Sequence, residues 1–274
     1  MQELLLTPDL QEAKDNVINQ LESGKYYLSY SALKAFSLSP ASFIEYKIGE
    51  KPTTKAMKMG SALHCAILEP EEFEKRYLIL TKDMLPNPDK DFRDTANKQF
   101  KAAFITQAES EGKEILDPAE FEECKLYQRL CWNNQISSHY LKNLTFKEQY
   151  AEWNFQGIMF RGYIDGGGNG YLMDLKKVAD ASPEKIKRAA IYDLWHWQGA
   201  LYKQSNFADE FTGFYNLAVD KVSPCLYELG EFNYQKALSD LTKILDNFKR
   251  CLDLQLWDAG YEFWAENSKG IFTI

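Results

Sequence analysis

The chain has 274 residues, 45% hydrophobic and 26% charged, with a formal net charge of −8. That balance argues for a globular chain with a sizeable core and against disorder. No apolar run approaches the roughly 18–20 residues that span a bilayer, and the acidic surplus weighs against a protein that coats nucleic acid non-specifically. Glu3, Asp9, Glu12 and Asp15 do not suit a secretory signal, so a cytoplasmic protein with no membrane partner is expected. Cys65, Cys124, Cys131, Cys225 and Cys251 form no C-x-x-C pair, which favours free thiols over a zinc site or a disulfide framework.

In chain order, residues 8–23 read as an amphipathic helix ending before Gly24. A second helix starts near Ser29 or Ser31 and carries Leu33 and Phe36. A third starts at Pro40 and carries Phe43, Tyr46 and Ile48. Lys47, Lys51, Lys55 and Lys58, with only Glu50 among them, make a local basic stretch. It reads either as a nucleic-acid contact or as a solvated loop. Residues 57–70 (MKMGSALHCAILEP) form a helix with Leu63, Ile67 and Leu68 on one stripe and Gly60 and His64 on another face. Residues 78–117 suit a loop plus a surface helix, and Asp117-Pro118 caps a helix through about 135.

From about 147 the pattern changes to strands. KEQYAEWNF, the Gln156-Gly157 turn, IMFRGYID, a glycine stretch and YLMDLKKV predict a three-stranded antiparallel meander. Ser182-Pro183 opens a predicted long helix through Phe207, with Ile186, Ala190, Leu194, Trp197 and Leu201 on its core stripe. FTGFYNLAVD predicts one more strand and 232–257 a final helix. One domain is expected, mainly helical over 1–146, with the sheet and its helices over 147–274. The class is α/β, a small mixed sheet flanked by helices.

The glycine stretch YIDGGGNGYLMDLKK (163–177) is the informative segment. It lacks the G-x-x-x-x-G-K-[ST] of a phosphate loop, and Tyr171 stands where the third glycine of a dinucleotide fingerprint would fall. Asn-Gly is instead the strongest two-residue hairpin signal, because both central residues of a type I′ turn need φ > 0. With Asn169-Gly170 at the turn, Gly168 pairs with Tyr171 and Asp165 falls opposite Asp174. Opposed residues have Cβ atoms about 4.5–5.5 Å apart. Two carboxylates that close repel unless a cation sits between them, and hard divalent cations favour carboxylate oxygens. Lys176 should project from the face of Asp174 by the period-2 rule. On the opposite face Ile164 should meet Leu175, and Gly166 should meet Met173.

Aspartate, a short hairpin and Asp-x-Lys, here Asp165 with Asp174-Leu175-Lys176, resembles the core motif of the PD-(D/E)XK nuclease superfamily. Other segments are similar to its phage-type exodeoxyribonuclease VIII branch. LSYSALKAFSLSPASFIEYKIG (28–49) resembles the branch's opening motif, MGSALHCAILEP (59–70) its G-x-x-x-H helix, and WQGALY (197–202) its Q-x-x-x-Y motif. Ser39 stands where some relatives place a cluster cysteine, and Cys225 and Cys251 lack clustered spacing, so no Fe–S cluster is expected.

The resemblance implies a restriction-endonuclease-like fold with an antiparallel catalytic hairpin. It implies Mg²⁺, with Mn²⁺ as a substitute, held by Asp165 and Asp174 with the Leu175 carbonyl and His64. Lys176 would position or deprotonate a water, or hold a phosphate oxygen. Gln198 and Tyr202 would brace the site or touch the DNA backbone. The substrate implied is the end of linear double-stranded DNA, digested by a ring-shaped homo-oligomer that hands the exposed strand to a single-strand annealing recombinase. A non-catalytic DNA-binding or assembly module with the same fold is the reading from another class. Related endonucleases and single-strand nucleases are rivals within the enzyme class.

Overall fold

Side-chain caps set most helix starts in the N-terminal half of the computed structural model, which describes residues 8–49, 54–90, 93–207 and 213–265. Helix α1 (Pro8–Glu22) precedes α2 (Tyr30–Phe36), where the Ser29 hydroxyl accepts from the Ala32 N–H. Ser39 caps α3 (Pro40–Ile48) in the same way, with Pro40 in the first turn. Thr54 caps α4 (Lys55–Leu68), and α5 (Pro70–Arg76) follows a one-residue break. Strands β1 (Tyr77–Ile79) and β2 (Glu114–Leu116) pair in parallel, with α6 (Thr95–Ser110) between them. A capping box between Asp117 and Glu120 starts α7 (Pro118–Asn133), and α8 (Gln135–Lys142) follows.

The main sheet begins with β3 (Phe146–Phe155), β4 (Ile158–Gly168) and β5 (Tyr171–Lys177), the meander expected from the strand pattern. Helices α9 (Pro183–Tyr192) and α10 (Trp195–Tyr202) cross over to β6 (Gly213–Val219), which pairs in parallel with β5. Strand β7 (Pro224–Glu228) closes the sheet antiparallel to β6, and α11 (Glu231–Leu254) follows. The order β3-β4-β5-β6-β7 is therefore mixed, and its one parallel step is bridged by helices, as a parallel connection requires.

Helices cover both faces. Phe36, Phe43, Leu201, Phe248 and Trp257 pack from α2, α3, α10, α11 and the chain after α11 against Phe160 and Leu172. Leu63, Ile67, Phe73 and Tyr127 pack from α4, α5 and α7 against Met173, Leu175 and Leu217. Strand β5 feeds both cores. Four of the five cysteines are buried and Cys225 is half-buried.

The predicted long helix over 183–207 is two helices. Leu194 adopts φ 61°, a left-handed conformation that is costly for a branched side chain and ends one helix before the next begins. Contacts from α2 hold the break. Tyr30 and Lys34 both donate to the Asp193 carbonyl, at 2.7 and 3.0 Å. The re-aiming buries every residue of α10, whereas α9 buries only Ile186. A hydrophobic stripe cannot report that change of direction. The β1–β2 ladder, α8 and β7 also lie outside what the sequence pattern predicted.

Candidate active site

Asn169 (φ 51°) and Gly170 (φ 84°) form the expected left-handed turn. The ladder below it pairs Gly168 with Tyr171, Gly167 with Leu172 and Gly166 with Met173, the register read from the Asn-Gly signal. The paired stretch ends there, one step short of Asp165 and Asp174. The Asp165 carboxylate fills the opening gap by accepting the Leu175 N–H at 2.7 Å.

The expected meeting of Ile164 with Leu175 does not occur: Ile164 packs in the first core and Leu175 in the second. The cause is a reversal of alternation in β4. Residues two apart in a regular strand share a face. Yet a side chain at Gly166 would run into Leu144 on the second-core side, while Ile164 points into the first core. The reversal falls at Asp165.

Strand β3 reverses at the matching position. Phe146 and Ala151 both pack on the first core although they are five positions apart, a step that alternation would put on opposite faces. Between them, Lys147 pairs with Gly166 and Gln149 with Ile164, which leaves Glu148 opposite Asp165. Glu148 has φ 47°, another left-handed non-glycine. Glu148, Asp165, Asp174 and Asn216 thus make one row across four strands, the last two being direct partners.

Glu148 was absent from the sequence-based site. KEQYAEWNF offers two glutamates and no signal that favours either. Counting pairs back from the Gln156-Gly157 turn, however, would have placed Glu148 beside Asp165.

His64 approaches this row from α4. Its Nδ1 lies 3.4 Å from Glu148 Oε1 and 3.6 Å from Asp165 Oδ2. Gly60, one turn earlier, leaves open space beside it and lines the same pocket of about 380 Å³, along with Ser61, Glu148 and the exposed Tyr163. Burial, then the charge of Asp174, pushes the Asp165 carboxyl up to about 7. Burial opposes a charge on His64, but Asp165, Glu148 and Asp174 outweigh it and raise the imidazole to about 9.

On the other side of the row, Asp174 is only 3% exposed. Its Oδ1 accepts from Gln198 Nε2 at 2.6 Å. Its Oδ2 lies 2.8 Å from Lys176 Nζ, an ion pair at an angle that makes no hydrogen bond, and it has no other partner. Lys176 donates instead to Gln198 Oε1 at 2.8 Å. The orientation of the Gln198 amide is fixed by chemistry, since a carboxylate can only accept and an ammonium can only donate. Gln198 Nε2 also reaches Tyr202 Oη at 3.4 Å, and that hydroxyl donates to the Tyr163 carbonyl at 3.0 Å. Helix α10 therefore ties the Asp-x-Lys strand to β4 through Gln198 and Tyr202. Trp195 and Trp197 are buried, and His196 Nδ1 sits 2.8 Å from the Ala190 carbonyl, away from this chain of contacts.

Of the lysines considered for nucleic-acid binding, Lys55 and Lys58 are placed away from this cluster. Lys55 is ion-paired with Asp117 and Glu120, both at 3.0 Å, and Lys47 is half-buried. Lys58 lines a separate pocket with Lys82, Lys101 and Lys113. Lys51 lies outside the described residues.

The donors fit a divalent cation. One ligand atom each from His64, Glu148 and Asp165 lie within 4.8 Å of one another. The buried Asp174 Oδ2, which accepts no hydrogen bond, and the carboxyl held up at Asp165 mark negative charge that protein groups do not fully offset. Carboxylate oxygens suit Mg²⁺ and Mn²⁺, and an imidazole is a common ligand of the transition ions.

Over residues 29–261 the chain matches the family described as PDDEXK-like domain of unknown function (DUF3799). The chain belongs to this PDDEXK-like family. Its fold is similar to the crystal structure of a protein from Eubacterium rectale that bears the name "Putative exonuclease", at 15% identity and a TM-score of 0.52. The likeness covers 89% of this chain and 86% of that one. At that identity it speaks for the fold alone, which is the restriction-endonuclease-like α/β architecture expected from the motif. No protein of curated function is significantly similar in sequence. Among the described residues, no helix is long and apolar enough to cross a membrane.

Proposed function

We propose that this PDDEXK-like protein is a divalent-metal-dependent deoxyribonuclease of the phage-type exodeoxyribonuclease VIII kind, hydrolysing phosphodiesters from the ends of linear double-stranded DNA. The observation that carries the reading is the joint placement of Asp165, Asp174 and Lys176, with Gln198 tying the last two together. A module that only binds DNA has no use for carboxylates gathered in this way.

Asp165, Asp174, the Leu175 carbonyl and His64 would hold Mg²⁺, or Mn²⁺ in its place. Such an ion, when bound, neutralises charge on a scissile phosphate and lowers the pKa of a coordinated water. Lys176 has three donors, of which one is spent on Gln198 and another faces Asp174. The third is free to hold a phosphate oxygen or orient the attacking water. Gln198 bridges the ammonium and Asp174, and Tyr202 fixes Gln198 against the Tyr163 carbonyl. The buried walls from α10 exclude bulk water, which strengthens each of these interactions.

By the same resemblance, the working form is a cytoplasmic ring-shaped homo-oligomer that passes the exposed strand to a single-strand annealing recombinase. The deciding experiment incubates linear, nicked-circular and closed-circular duplex DNA with the wild type and with Asp174→Ala, in Mg²⁺ or chelator. Digestion of linear DNA alone, dependent on Mg²⁺ and lost in the variant, is the expected result. Cutting of closed circles would identify an endonuclease, and no digestion by the wild type would support the binding module.

A further inference from the structure

We infer that Glu148 is a metal-holding residue of this site, and that its left-handed backbone is retained because it turns the carboxylate toward His64 and Asp165. The inference rests on the metal-dependent reading above and adds a ligand that the Asp…Asp-x-Lys motif does not contain.

Three independent observations converge on Glu148. First, β3 and β4 keep one register on both sides of Glu148 and Asp165, so no residue is inserted, yet this pair alone is missing from the ladder between Phe146 and Phe155. An accidental irregularity would shift the register; this one turns two facing residues over together. Second, glutamate has no preference for φ near 47°, where side chains clash with the following carbonyl, and glycine would occupy it without cost. Non-glycine residues held in such conformations concentrate at functional sites. Third, the twist delivers Glu148 Oε1 to within 3.4 Å of His64 Nδ1, in the group whose ligand atoms all lie within 4.8 Å of one another.

Alternation would otherwise direct residue 148 to the first core, between Phe146 and the Ala151 side of the strand. A carboxylate there would be buried without a partner. Reversal removes that conflict and sets two carboxylates, from Glu148 and Asp165, against one imidazole, with Asp174 beyond Asp165 in the row. Without a bound ion, His64 beside Glu148 and Asp165 and Lys176 beside Asp174 offset that charge.

A purely structural role is the competing account, in which Glu148 only pairs with His64. The two accounts differ in what happens to metal affinity and to stability. The test titrates Mn²⁺ into the full chain, wild type and the variants Glu148→Gln, Glu148→Gly and Asp165→Asn, and follows the free ion by electron paramagnetic resonance. The thermal midpoint of each protein in chelator is recorded as well.

The inference expects Glu148→Gln and Glu148→Gly to weaken Mn²⁺ binding by at least about tenfold. It also expects Glu148→Gly to have a higher midpoint in chelator than Glu148→Gln, because both lose the ionic pair with His64 and only glycine is free of the left-handed strain. If Asp165→Asn loses Mn²⁺ while both Glu148 variants bind it as tightly as the wild type, the inference fails and the proposed function stands. If the wild type binds no Mn²⁺, both fail. A lowered midpoint with unchanged affinity would identify the His64 pair as the whole role of Glu148.

Discussion

Gln198 donates its side-chain N–H to Asp174 at 2.6 Å across the gap between helix α10 and strand β5. Its other end accepts from Lys176, so one amide bridges the acid and the base of an ion pair and fixes the positions of both. Gln198→Ala is expected to lower kcat by about 10–100-fold, the usual range for groups that orient a metal site. KM for DNA should change little, because the interaction supports the transition state more than binding. Tyr202→Phe removes one hydroxyl contact and should cost about 1 kcal/mol of stability. Steady-state kinetics and thermal unfolding of the two variants check both values.

Stability without metal should fall as pH rises. Asp165 has a folded pKa near 7, above the ordinary carboxylate value, so its ionisation is harder in the folded protein than in the unfolded chain. Its contribution is intact below about pH 4 and worsens up to about 7. His64 is raised from 6.5 to about 9, so the stability gained from its charge is full below 6.5 and lost through 9. Both groups therefore act in one direction across pH 4–9. Thermal midpoints in chelator should decline through this window, and added Mg²⁺ should flatten the decline by binding the folded state.

Asp165→Asn should separate stability from function. Replacing a buried carboxylate that faces Asp174 relieves repulsion, and about 0.5–2 kcal/mol of added stability in chelator is expected. Nuclease activity should fall by more than the ~100-fold that bounds outer supports of a metal site. Urea unfolding and a linear-DNA digestion assay on one preparation test the pair of outcomes.

The hairpin glycines act in different ways, and alanine can tell them apart. A Cβ at Gly168 would lie 2.0 Å from the Asn143 carbonyl oxygen, a backbone atom that cannot swing aside. Gly168→Ala should cost about 3 kcal/mol or more. Gly170 has open space around it but a φ of 84°. Gly170→Ala should cost only about 1–2 kcal/mol, from the left-handed backbone alone. Urea midpoints at unchanged m-value would confirm that both act on the folded state.

What could be read beforehand followed from short-range rules. Asn169-Gly170 set the hairpin register, and alternation put Lys176 beside Asp174. One helical turn put Gln198 near Tyr202. The parts that escaped depend on backbone torsions that side-chain identity does not announce. Nothing about a leucine or a glutamate signals a positive φ, so the break at Leu194 and the twist at Glu148 were both invisible. The first split a helix that its apolar stripe made continuous. The second turned Asp165 out of the regular pairing and brought in a carboxylate from a strand that carried no motif. The three-residue strands β1 and β2 are too short for alternation to show.

Strand β5 is paired on both sides and contributes Leu172 to one core and Met173 and Leu175 to the other. Among the described residues, strand β3 is an edge, bonded only to β4. Asp174 and Lys176 therefore sit on a central strand, laddered there to β6, and Glu148 on an edge strand. Local opening free energies follow that gradient from edge to centre. The edge can fray and reclose while the Asp-x-Lys strand stays locked, which gives an ion or a DNA end a way in that does not require the sheet to come apart.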